Sequence, residues 1–160
     1  MVRKLSVVTV LVLLNLSMLA ASVGAADQLL HSSWVISDAH TNADPDRGYV
    51  GGMVVFWNEK SYFTARDGRI AEILEWKYLE RGKRFFIEGK SNGLCIKATC
   101  LIDGEDVLRL FMNLSDKGPE GLEFPATAKE KCHQAFECRR IPVAEAKAAL
   151  LNVGVELTTE

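Results

Sequence analysis

Apolar and polar residues alternate with a period of two along much of the chain, in short runs separated by turn-forming residues. The clearest case is "LCIKATCLIDGEDVLRLFMNL". Leu94, Ile96, Ala98, Cys100 and Ile102 share one face, and Cys95, Lys97, Thr99 and Leu101 share the other. After the turn "DGED", Leu108, Leu110, Met112 and Leu114 form a matching apolar face opposite Val107, Arg109, Phe111 and Asn113. Alternation of this kind marks strands with one buried side, so 94–102 and 107–114 are predicted to pair as a hairpin.

The same reading extends in both directions. "SWVIS" (33–37) predicts a first strand, and the loop "DAHTNADPDRG" follows it, dense in residues that favour turns. "YVGGMVVFW" (49–57) predicts a second strand, with Gly51 and Gly52 marking a bulge or sharp bend. "NEK" leads into "SYFTAR", and Asp67–Gly68 is a strong two-residue hairpin signal. "RIAEILEWKYLE" (69–80) fits a helix face through Ile70, Ile73, Leu74 and Tyr78, or a strand face through Leu74, Trp76 and Tyr78. The tight turn before it and its aromatic residues favour the strand. "RFFIE" (84–88) precedes a loop with Asn92–Gly93, "ATAKEKCHQ" predicts one helical turn, and "AFECRRI" predicts a last strand ending at Pro142. The Ala- and Leu-rich "VAEAKAALLNVG" predicts a short C-terminal helix stopped by Gly154. About eight strands and one helix predict an all-β domain, a closed antiparallel barrel in which no strand edge is left exposed.

The first 25 residues change the picture of where this domain works. Arg3 and Lys4 precede an apolar run over 5–21, and "SVGAADQ" then offers Val23 and Ala25 as the small residues before a cleavage point. Basic head, apolar middle and small-residue exit predict a signal peptide cut after Ala25 or Ala26, the alternative being an uncleaved membrane anchor. Residues 26–160 then form one exported, periplasmic or secreted domain with no membrane attachment. The leader holds two of the 19 basic residues and none of the 21 acidic ones, leaving 17 basic against 21 acidic and a net charge of −4. That balance argues against nucleic acid as a partner.

Several pieces of the chain resemble the small bacterial lipocalin-like domains of exported proteins. They are "LHSSWVIS", "VVFWNEKSYFTARDG", "CLIDGEDVLRLFM" and "GLEFP", spread loosely over residues 30–125. Ser32 stands where lipocalins carry a glycine two residues before the strand-one tryptophan. The resemblance implies a barrel that encloses a small apolar ligand. It also implies a basic residue of the last strand, Arg139 or Arg140, stacked over Trp34. Trp34, Phe56, Trp76, Leu108, Leu110, Met112 and Phe136 are the candidate cavity-lining residues, with plain core packing as the competing role. Outward-facing Trp57 or Trp76 would mark a contact patch.

Four cysteines in an exported chain predict two disulfides, against a metal site or free thiols as alternatives. Along an extended strand Cys95 and Cys100 lie about 16 Å apart and on opposite faces, beyond disulfide reach. Each is therefore expected to bond within the Cys132/Cys138 segment, adding about 3–4 kcal/mol of stability. The cysteine spacings do not match those of paired zinc ligands or of a C-x-x-C redox centre. Asn42, Asp44 and Asp46 alternate as in a calcium loop, but Arg47 and Met53 stand where an EF-hand needs Gly and Glu. His31, His40 and His133 are scattered, no nucleophile-elbow motif occurs, and no carboxylate pair is placed for glycoside chemistry. Asn113 begins an "NLS" glycosylation motif. The sequence thus predicts a non-catalytic binding protein with no cofactor and no metal. The second reading is a protein-interaction or inhibitor module acting through the loops 38–48 and 115–125.

Overall fold

The computed structural model describes residues 29–41, 48–81 and 84–158, with the backbone alone at 71–73 and 76–81. The leader and its cleavage point, and the 42–46 positions weighed as a cation loop, lie outside the described residues. Eight strands follow in order: β1 (His31–Thr41), β2 (Met53–Trp57), β3 (Lys60–Thr64), β4 (Ile70–Arg81), β5 (Arg84–Ser91), β6 (Leu94–Asp103), β7 (Val107–Ser115) and β8 (Gln134–Ile141). Each pairs antiparallel with the next, and β8 returns to β1, closing the barrel. A 3-10 turn, Lys129–Lys131, precedes β8, and a helix, α1 (Val143–Leu151), follows Pro142.

The period-two faces sort as alternation requires. Ile96, Ala98, Cys100, Leu108, Leu110, Met112, Phe136 and Cys138 all point inward and join one buried cluster. The ambiguous 69–80 stretch is a strand, because its hairpin turn is locked. The Arg69 backbone N–H and guanidinium both donate to the Asp67 carboxylate, which holds that carboxyl below its usual range. Asn92 and Gly93 take φ of 48° and 81°, the two left-handed positions of a tight hairpin between β5 and β6.

Two boundaries differ from expectation. β1 continues through Thr41, four residues past the predicted end, because β8 pairs with it across a bulge between Ile36 and Asp38. The second strand begins at Met53, not at Tyr49. Residues 48–52 form a turn, in which Gly51 N–H donates to Ile36 O and Ile36 N–H to Gly52 O. Gly52 is required there for space alone, since a Cβ would stand 2.0 Å from the Thr64 carbonyl oxygen.

α1 lies on the outer wall. Ala146, Leu150 and Leu157 pack against Val55 and Trp57. The Trp57 indole N–H donates to Thr158 O at 2.7 Å, and Lys147 Nζ sits 4.4 Å from the ring centre. Trp57 does face outward as alternation demands, but the chain's own C-terminus covers it, so it is not a contact patch.

Candidate functional site

One end of the barrel is closed by Trp34. Its ring is fully buried, and Arg140, its cross-strand neighbour, lies with its guanidinium carbon 4.3 Å from the ring centre. Arg140 is held in turn by the Glu105 carbonyl of the β6–β7 turn. Arg139 is exposed and pairs with Val35 and Val107, so Arg140 is the covering residue. Ser32 has a definite role. Its hydroxyl accepts the Trp34 indole N–H at 2.7 Å and donates to Leu29 O at 2.6 Å.

Above this plug the barrel is filled. Trp34, Phe56, Leu108, Leu110, Met112 and Phe136, six of the candidate lining residues, belong to one contiguous buried cluster with Phe63, Phe85 and Tyr49. Trp76 is placed by its backbone opposite Gly89, and its side chain lies outside the described residues. Edge-to-face contact between Tyr49 and Phe136, centroids 5.3 Å apart, caps the aromatic stack toward the opposite end.

That opposite end carries a recess of about 170 Å³. Ala39 and Thr41 form one side, the turn residues Gly48, Tyr49 and Val50 another, and Arg66 a third. The rim is tied together by the Arg66 backbone N–H, which donates to Gly48 O at 2.8 Å. Tyr49 is the residue that pattern reading missed here, because it lay within a predicted strand.

A larger groove, about 540 Å³, runs along the outer wall. Its floor is Glu88–Lys90 of β5 and Cys95–Lys97 of β6, with Lys60 and Glu75 on one flank and Pro119 and Leu122 of the β7–β8 loop on the other. The loop is strapped down: Thr99 donates to Pro125 O, Asn113 Nδ2 to Glu123 O, and Phe124 meets Phe86 edge-on. The Asn113 amide of the glycosylation motif is thus engaged within the protein.

The expected disulfides are a correction. All four cysteines are buried thiols and none is bonded. Cys100 and Cys138 both face inward, but β7 stands between them, with Cys100 opposite Leu110 and Cys138 opposite Leu108. Two strand spacings separate their backbones by about 9–10 Å, beyond the 7 Å limit. Cys95 faces outward, level with Ser115, whereas Cys132 packs against Phe111. β7 stands between this pair as well, since Cys132 precedes β8, which pairs with β7 from Met112 onward. Burial pushes the Cys100 and Cys138 thiols far above the ordinary range, with each kept neutral by its apolar surroundings.

Among the described residues no group of three or more His, Cys, Asp or Glu is gathered for a metal, and no helix is long and apolar enough to cross a membrane. His31 bonds Asn58 Oδ1 at 2.9 Å beside Trp57, and His133 Nδ1 accepts the Leu114 N–H. Comparison with protein-family models, with curated proteins and with solved structures finds no match to this chain.

Proposed function

We propose that the protein is an exported, non-catalytic, lipocalin-like binding protein that takes a small ligand with an apolar body at the end of its barrel opposite Trp34. The recess framed by Ala39, Thr41, Tyr49, Val50 and Arg66 carries this reading. The opposite end is sealed by Trp34 and Arg140, and the middle is packed with side chains. A recess of about 170 Å³ sets the scale of the ligand at roughly a benzene-sized body. Titration of the purified, isotope-labelled protein with benzene, followed by amide NMR, should shift resonances of Ala39, Tyr49 and Val50. Unchanged spectra at benzene saturation would end this reading.

The outer groove supports a second reading, a protein-interaction module. About 540 Å³ is within the range of recognised binding sites, and its rim carries both signs of charge. A pull-down from the protein's own source, with the native chain and with a Leu122→Asp variant, separates the two. Loss of a captured partner in the variant supports the groove.

A further inference from the structure

The loop between β7 and β8, residues 116–133, leaves the barrel at Ser115 and returns at Gln134, and one histidine joins its two ends. β8 pairs with β7 only as far as Met112, so the Leu114 N–H lies beyond the end of that pairing. The His133 ring supplies the acceptor there, its Nδ1 taking the Leu114 N–H at 2.9 Å. The His133 backbone N–H donates to Met112 O at 3.0 Å and reaches Asn113 Oδ1 at 3.4 Å. Asn113 in turn donates through Nδ2 to Glu123 O, next to Leu122 on the flank of the outer groove. The neck of the loop and the edge of the groove share one carboxamide.

A backbone N–H can only donate, so the ring presents a lone pair at Nδ1 and carries its single proton on Nε2. Protonation makes both ring nitrogens donors and sets an N–H against the Leu114 N–H. The bond therefore belongs to the neutral ring alone. His31 provides the contrast. Its Nε2 faces Asn58 Oδ1, an acceptor, so that bond is donated by the ring and survives protonation. Charged side chains on the segments adjoining His133 are Asp116 and Lys117 after β7, Glu123 in the loop, Lys129, Glu130 and Lys131 of the 3-10 turn, and Lys97 of β6. None of them forms an ion pair with His133 among the described residues, so the charged ring gains no partner for the contact it gives up. His133 is exposed, and histidine is the side chain that changes charge between about pH 5 and 8.

We propose that His133 is a pH-sensitive clasp: the neutral ring closes the neck of the β7–β8 loop, and its protonation releases that neck and loosens the Pro119–Leu122 flank of the outer groove. The clasp stands apart from both binding readings, because no ligand is needed to see it. The test is a titration of the purified, isotope-labelled protein from about pH 8 to about pH 5, with imidazole and amide NMR spectra recorded together. At the upper end His133 should be the Nε2–H tautomer. The Leu114 and Leu122 amides should then shift with the midpoint of the His133 ring. Hydrogen-exchange protection of Leu114, corrected for the intrinsic rate, should fall about fivefold, the effect of one hydrogen bond. His133→Phe, which has no acceptor, should hold Leu114 at the low protection at every pH, and unchanged protection of Leu110 would show that the variant is folded. An Nδ1–H tautomer at the upper end, Leu114 protection that does not follow the His133 ring, or a pH response that persists in His133→Phe overturns the clasp. A response at Leu114 with none at Leu122 overturns its reach to the groove.

Discussion

Arg140 lies over the indole of Trp34 because β1 and β8 set the two residues opposite each other on the inner face. The ring is fully buried, and the half-exposed Arg140 covers its outer face. Arg140→Ala should lower stability by about 1–2 kcal/mol, and the loss should largely vanish in a Trp34→Leu background, by urea unfolding in a double-mutant cycle. Gly52 has a stricter requirement. A methyl group there would meet the Thr64 carbonyl at 2.0 Å, and neither backbone can yield without opening β2 from β3. Gly52→Ala should therefore cost at least about 3 kcal/mol in the same assay, whereas Gly104→Ala, with open space around it and only its left-handed φ of 66° to oppose the change, should cost about 1 kcal/mol. The resemblance left Arg139 and Arg140 as alternatives for this contact, and the register of β8 against β1 decides for Arg140. The role of Ser32 was not legible, because a hydroxyl that serves an indole N–H two residues away leaves no pattern in the chain.

At the scale of elements, the hairpins were the most legible part. Leu94 to Leu114 alternate without interruption, and Asn92–Gly93 and Asp67–Gly68 announce their turns. The edges of elements were less so. Asp38, Ala39, His40 and Thr41 read as loop by composition, yet β8 holds them as strand. Tertiary pairing overrides local preference there. α1 was readable as a helix but not as a cover for Trp57. Leu150 is fully buried at the centre of that contact. Leu150→Ala should destabilise the protein by about 2–5 kcal/mol. If the helix lifts, Trp57 fluorescence should shift to the red and become quenchable by acrylamide before global unfolding.

For the whole molecule, the closed barrel was predictable from the number of alternating runs, since closure leaves no strand edge to guard. The state of the cysteines was not, because register and facing decide it. Cys100 and Cys138 share the interior yet stand a full strand apart, and both are buried within the apolar cluster. Their thiols are held neutral, so neither should react with a thiol-specific reagent in the native state. The native protein should show at most slow reaction, led by groove-lining Cys95, and all four should react in urea without reductant. Fewer than four in urea would show that bonds form among them. The candidate site was only partly visible from sequence. Six of the residues named as cavity lining do face inward, but they pack against one another, and the recess lies at the rim, where turn residues from distant parts of the chain meet.

The hydrogen bond from Trp57 to Thr158 makes the C-terminal tail a fastening for the barrel wall. An exopeptidase that trims the chain past Thr158 would unlatch the tail and bare the indole, so a protein aged in a protease-rich medium should lose stability in steps as its end is shortened. Affinity tags fused at that end would pull on the same fastening.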